Sequence, residues 1–438
     1  MRYDPGLFLG FINDILLIKN KRRILLFNTA NKKEYMLNTD SFLIIEALRN
    51  RPAVRELLKT LKRTNILETG KILGFIDFLV KENIISVNNE KDSRLHLIIS
   101  DTNPPLERIF IELTQKCNQA CKHCYMNARY CLKSNNTREL SLYEIKKIID
   151  VSKNAGVWRF DLTGGEIFTR SDIFDILKYL QKRWMVVNIF TNGTLLNEEK
   201  AEKLKDFWNI TRVILSLDGH TASLHDSFRG IKGGFDKTVH AIKMLERHGF
   251  KTFINICLSK QNYTFAQDII DFIKNNFQSS YMLSPVLNTG RGADYLSDNF
   301  VPAETYAEVI KQALRLNHGK IKRACSGFSN YCGVGEEFLF IDCTGDVSIC
   351  PSLTKREDSK LYIGNFFDCN LEKLWHENET LTDFRNARCK DKNTCSHYDN
   401  CLGGCRSRAY LESGDDFCGK DILACSFFGA EKTIEQKV

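Results

Sequence analysis

Residues 109–124 read Ile-Phe-Ile-Glu-Leu-Thr-Gln-Lys-Cys117-Asn-Gln-Ala-Cys121-Lys-His-Cys124. An apolar, β-branched run passes into three cysteines spaced C-x3-C-x2-C, the pattern of a strand that ends in a loop. Working outward, the runs FDLT (160–163), VVNIF (186–190), VILSL (213–217), FINICL (253–258) and YMLSPV (281–286) are each followed by a helical stretch. With IFIEL (109–113) these make six strand–helix units, which predict an α/β fold: a parallel sheet curled as a partial (β/α)6 TIM-like barrel. Loops at the C-terminal ends of barrel strands carry active sites, so the cysteine loop occupies the catalytic position. Three thiolates can hold three irons of a cubane and leave the fourth open to a ligand. A zinc site or unrelated cysteines is the alternative at this point.

The later strands end in further motifs: Thr163-Gly164-Gly165-Glu166, Thr191-Asn192-Gly193 and Ser216-Leu217-Asp218-Gly219, with Arg229-Gly230 and Gly290-Arg291-Gly292 downstream. Glycines there permit close backbone approach to a ligand. Motif for motif, residues 108–318 resemble a radical S-adenosylmethionine (SAM) domain. The resemblance implies that Cys117, Cys121 and Cys124 bind a SAM-chelating 4Fe–4S cluster. It also implies that Thr163, Gly164, Gly165 and Glu166 take the SAM amino group, with Asn192 in the next loop. By the same resemblance Ser216 and Asp218 face ribose, Arg229 pairs with the SAM carboxylate, and His123 packs near adenine.

Sixteen cysteines in a chain with no recognisable export signal suggest metal binding rather than disulfides. The stretch LFLGFINDILLI (7–18) is broken by Asn13 and Asp14 and lacks a cleavage site, so the expectation is a cytoplasmic protein. After Cys325 the chain is rich in cysteine and glycine, and needs a staple other than a large apolar core. Cys325 and Cys332 precede a strand pair closed by Gly345-x4-Cys350, followed by Cys389-x5-Cys395-x5-Cys401-x3-Cys405 and Cys425. This resembles the SPASM extension, which binds two auxiliary 4Fe–4S clusters. Carried over by position, Cys325, Cys332, Cys350 and Cys405 would ligate the first, and Cys389, Cys395, Cys401 and Cys425 the second. The x5 spacing after Cys389 departs from the usual C-x2-C, Cys418 competes with Cys425, and zinc is the rival metal for 389–405. Cys131, Cys257, Cys343, Cys369 and Cys418 are then left as small hydrophobes.

The net charge is +8. Residues 1–95 hold 17 Lys and Arg against 11 Asp and Glu, a surface suited to an acidic partner. Short strands over 6–37 and helices at 39–49, 52–63 and 70–82, the first capped by Thr39 or Asp40, resemble a winged-helix domain. In order of elements it is similar to the leader-peptide recognition element of ribosomal peptide maturation. An exposed strand edge can take up such a peptide by β-augmentation. DNA binding or a purely structural cap are the alternatives, and no basic recognition helix supports DNA.

Polar residues 88–94 divide the chain into 1–95 for leader recognition, 96–318 for the radical SAM partial barrel and 319–438 for the SPASM domain. The resemblance as a whole implies a peptide maturase with SAM and three 4Fe–4S clusters. Its partners would be a precursor peptide bearing a leader and an electron donor such as flavodoxin or ferredoxin, with no nucleic acid and no membrane. In length, domain order and cysteine placement the chain is most similar to the streptide-cyclase type, which joins a lysine β-carbon to a tryptophan ring. In that cycle the 5′-deoxyadenosyl radical abstracts hydrogen from an unactivated carbon, and an auxiliary cluster takes the surplus electron. A thioether-forming maturase and a non-catalytic iron–sulfur regulator that binds peptide or DNA remain rivals. No residue stands out as the general base.

Overall fold

The computed structural model describes residues 3–63, 68–87, 93–126, 128–130, 138–316, 333–353, 361–414 and 416–429. Near the N-terminus, β1 (Ile15–Lys19), β2 (Ile24–Asn28) and β3 (Lys33–Leu37) form an antiparallel meander, with Lys19 paired to Ile24 across the turn. A fourth strand, β4 (Leu95–Ile99), lies parallel to β1, so the sheet runs β3-β2-β1-β4. Helices Thr39–Ala47, Val54–Arg63 and Thr69–Lys81 cover one face, where Leu17, Leu26, Ile44 and Ile76 are buried together. The first helix is capped by Asn38 rather than by Thr39 or Asp40. Asn38 is still extended there, and its side chain accepts from the Ser41 amide at 2.8 Å.

The opposite face of this sheet is apolar too. Leu16, Ile18, Leu25 and Phe27 belong to the same buried core as the barrel strands. That explains why β1 reads Ile-Leu-Leu-Ile without polar alternation: it is covered on both sides. Each of these four side chains contributes about 1.5–3 kcal/mol by leaving water.

The barrel strands are β5 (Arg108–Glu112), β6 (Arg159–Thr163), β7 (Val186–Thr191), β8 (Ile210–Ser216), β9 (Thr252–Leu258) and β10 (Ser280–Pro285). They pair in parallel in the order β10-β9-β8-β7-β6-β5. The sheet does not stop at β5. A strand from the C-terminal third, β11 (Phe338–Ile341), pairs in parallel with its free side, and β12 (Asp346–Ser348) and β13 (Tyr362–Asn365) continue antiparallel to make nine strands.

The N-terminal unit sits against the N-terminal ends of these strands. Arg23 Nε lies 3.3 Å from the buried Glu107, just before β5, and Glu34 on β3 is ion-paired with Arg159 at the start of β6. Arg22 and Arg23 also reach Glu336 and Glu337, which lead into β11. The N-terminal unit therefore packs at the floor of the barrel, and the cysteine loop lies at the other end. Helices Leu371–Glu377, Glu379–Asn386, Arg406–Glu412 and Ile422–Phe428 follow β13. Trp375 is fully buried and its indole N–H donates to the Pro104 carbonyl at 2.8 Å, tying this region to the approach of β5. No helix among the described residues is long and apolar enough to cross a membrane.

Candidate active site and cysteine clusters

The loop after β5 carries Cys117 and Cys121, both buried, and the half-buried Cys124. Its shape is set by its own backbone and by neighbouring loops. The Gln119 amide donates to Cys117 Sγ at 3.4 Å and the Ala128 amide to Cys124 Sγ at 3.3 Å. Asn118 bonds Asn192 and Thr194 of the loop after β7, at 2.9 and 2.8 Å. Arg291 Nε donates to the Cys121 carbonyl at 2.9 Å and its amide to the Cys124 carbonyl at 2.9 Å.

The motif glycines press on this loop. A Cβ on Gly165 would stand 2.3 Å from the Lys116 carbonyl oxygen, and one on Gly290 2.5 Å from that of Tyr125. Gly290 also has φ +56°, a region that favours glycine. Both residues are thus required where the cysteine loop is held, one from each side. Glu166 is buried and spends its carboxylate on the next loop, accepting from Thr191 Oγ1 and the Asn192 amide at 2.7 Å each and from the Phe168 amide at 3.1 Å. Burial holds this carboxyl above its ordinary range.

The remaining residues expected at the site gather at the same end. Thr163 ends β6, and Ser216 is half-buried at the end of β8, paired with Asn255. Asp218 is fully buried, with Oδ2 2.6 Å from Arg229 Nε and Oδ1 accepting the Cys257 amide at 2.7 Å. Arg229 in turn points Nη1 at Cys121 Sγ, 3.7 Å away. His123 stacks on Phe228 with centroids 4.0 Å apart and planes 14° from parallel, and its Nδ1 has no hydrogen-bond partner among the described residues. Burial keeps the His123 imidazole neutral at ordinary pH.

Asn118 and Gln119 escaped the sequence reading, although their place between two cysteines was a signal. Arg291 was marked only by its flanking glycines. Asn262 was not singled out: it donates to the nearby Cys257 carbonyl at 2.9 Å and, across the fold, to the Asp218 carbonyl at 2.9 Å.

Several of the C-terminal cysteines lie near one another. Cys389, Cys395, Cys401 and Cys425 line one cavity of about 620 Å3, together with Lys420 and Asp421. Cys418 is exposed and lies outside that lining. Cys350 is buried, Cys405 is half-buried, and the two thiols neighbour each other. Cys325 and Cys332, as well as Cys131, fall outside the described residues. Asp421 connects the two groups: it accepts the Cys405 amide at 2.6 Å and is paired with the buried Arg408 at 2.6 Å.

Cysteine sulfur is the donor that iron–sulfur clusters require, although among the described residues no three such donors stand close enough to share a single metal ion. Burial pushes the Cys117 and Cys425 thiols up to about 12 and Cys350 up to about 11. Sulfurs so placed keep their protons at neutral pH unless a metal replaces them. Cys117, Cys121 and Cys124 would hold a cluster with one open iron, and Cys389, Cys395, Cys401 and Cys425 one with none.

Comparison with known proteins agrees with this geometry. Residues 111–273 match the radical SAM superfamily, and residues 332–402 match SPASM, an iron–sulfur cluster-binding domain. The chain is 28% identical over 347 residues to the AdoMet-dependent heme synthase of Oleidesulfovibrio alaskensis, covering 72% of this chain and 86% of that protein. It is 29% identical over 344 residues to the mycofactocin maturase MftC of Mycolicibacterium smegmatis, covering 75% and 84%. Among solved structures, Streptococcus suis SuiB bound to its precursor peptide SuiA has the same fold. The TM-score is 0.64 at 17% identity, over 95% of this chain and 99% of that one.

Proposed function

We propose that this chain, with a radical SAM domain over 111–273 and a SPASM domain over 332–402, modifies a ribosomally made precursor peptide. The observation that carries the reading is one of position. The cysteine loop occupies the C-terminal mouth of the barrel, and the unit with a free sheet edge packs at the floor. β3 is that edge, with Lys33, Glu34 and Met36 exposed, and its outer side has no strand partner among the described residues. A leader peptide would add there as a further strand, its main chain supplying affinity. Precursor binding by SuiB, which shares this fold, supports the choice of substrate class.

Cys117, Cys121 and Cys124 would hold a 4Fe–4S cluster, which would supply the electron for reductive cleavage of SAM. The chain's own contribution is to hold the ligands in place. Arg291, Asn118 and the glycines fix the cysteine loop. The second cysteine cavity and the Cys350/Cys405 pair would hold two auxiliary clusters, three in all, able to take the surplus electron.

The finer part of the proposal is an intramolecular carbon–carbon cross-link of streptide type, lysine to tryptophan, with flavodoxin or ferredoxin as donor. The test is mass analysis of the cognate peptide after incubation with SAM and reductant. A product two hydrogens lighter, absent from peptides lacking either lysine or tryptophan and kept when all peptide cysteines are replaced, is the expected result. Loss of product on cysteine replacement would refute the cross-link and favour a thioether. Identity to a heme synthase favours a second reading, a heme-forming enzyme. Turnover of a heme precursor with no peptide modified would establish that reading instead.

A further inference from the structure

Asp218 is where the structure departs most from the role its motif suggests. A ribose contact needs a carboxylate with an accessible oxygen, but Asp218 has none to offer: its exposure is 0%. Oδ2 is 2.6 Å from Arg229 Nε, and Oδ1 accepts the Cys257 amide at 2.7 Å. Its backbone is equally committed. The Asp218 amide donates to His225 Nδ1 at 3.2 Å, and its carbonyl accepts Asn262 Nδ2 at 2.9 Å. Four groups from three segments thus fix this residue.

What Asp218 holds is Arg229, itself only 7% exposed, at the end of the helix Ala222–Arg229. With Nε pinned by the carboxylate, the guanidinium plane is set, and Nη1 falls 3.7 Å from Cys121 Sγ. Arginine's rigid fork suits it to transmit orientation from one partner to another. His123 Nε2 lies 3.9 Å from Asp218 Oδ2, and the Cys121 and Cys257 thiols also feel the Asp218 charge, while burial holds the His123 and His225 imidazoles well below their ordinary range.

We propose that Asp218 is a positioning residue that holds the Arg229 cation against the Cys121 sulfur and so sets the reduction potential of the SAM-binding cluster. The inference rests on the radical SAM reading of Cys117, Cys121 and Cys124. Reduction adds an electron to a cluster, so a nearby cation favours the reduced form and a nearby anion the oxidised form, while a hydrogen bond to a ligand sulfur acts as the cation does. In the intact protein the two charges largely offset each other, and the sulfur contact remains. Asp218→Asn leaves an uncompensated cation beside Cys121 and moves the potential up. Arg229→Gln leaves the anion, removes the sulfur contact and moves it down.

The experiment is a redox titration of the reconstituted full-length protein in the absence of SAM, followed by electron paramagnetic resonance. The SAM-cluster signal is identified as the one missing from a Cys117→Ala/Cys121→Ala/Cys124→Ala variant. Shifts of opposite sign for Asp218→Asn and Arg229→Gln are the expected result. A ribose contact would leave both SAM-free potentials at the wild-type value, and that outcome overturns the proposal. Each variant carries the sign test by itself, so one that fails to hold its cluster leaves the other to decide. A wild-type protein in which the triple variant removes no signal would instead refute the radical SAM assignment, and the proposal with it.

Discussion

Replacing Gly165 by alanine tests whether the cysteine loop is held by backbone contact. The added Cβ would lie 2.3 Å from the Lys116 carbonyl oxygen, 2.7 Å from its carbon and 2.8 Å from the Gln115 oxygen. All three are main-chain atoms, so no side chain can swing away, and the turn must separate from the loop by roughly 1 Å to restore ordinary contact. That movement strains two hydrogen bonds, Gly165 N to Thr114 O at 2.7 Å and Glu166 N to Lys116 O at 2.8 Å. At about 1 kcal/mol for each bond and ~1–3 kcal/mol for overpacking, the local cost is roughly 3–5 kcal/mol. Lys116 precedes Cys117, so the cost falls on the first ligand. Iron analysis after anaerobic reconstitution should show a loss of about four atoms per chain, with the remaining iron retained. Gly74→Ala is the control. Its Cβ meets nothing within 4 Å, and on an exposed helix position it should be neutral or stabilise by ~0.5–1 kcal/mol. A Gly165→Ala protein with full iron and unchanged SAM affinity would refute the packing argument.

Two further outcomes are expected. Cys425→Ser should lower bound iron by about four atoms per chain whereas Cys418→Ser should not, since only Cys425 lines the cavity with Cys389, Cys395 and Cys401; equal losses would show that the exposed thiol is a ligand after all. Met36→Glu, on the outer strand β3 at 65% exposure, should weaken binding of an acidic leader at least tenfold in a fluorescence titration while SAM cleavage without peptide is unchanged; undiminished affinity would place the leader elsewhere.

The barrel strands and the cysteine loop were legible because both signals are local. Strand periodicity and a C-x3-C-x2-C run need no partner to be recognised. β4 was not, because its reason for being a strand is β1, eighty residues earlier, with Leu95 registered on Ile15. The N-terminal segment reads as a separable unit by composition and order of elements. In the structure Leu16, Ile18, Leu25 and Phe27 share a core with the barrel, so removing 1–95 would open that core as well as remove a binding edge. Asp218 shows the same limit within the site: the motif is readable, but its burial and its hold on Arg229 depend on Asn262, Cys257 and His225, all further along the chain.

The pairing of β5 with β11 has a consequence for how the protein is made. Arg108 is registered on Phe338, a separation of 230 residues. Such a contact is among the last to form as the chain leaves the ribosome, because closing so long a loop carries an entropic cost before any bond rewards it. Until residues 338–341 emerge, the edge of β5 is open, and β5 carries the apolar Ile109 and Ile111 directly before the cysteine loop. Nascent chains at that stage present a parallel-strand template to one another and are exposed to aggregation. The C-terminal third therefore acts as the seal on the catalytic sheet, and slow growth or low temperature during expression should improve the yield of the whole chain but not of one ending before β11.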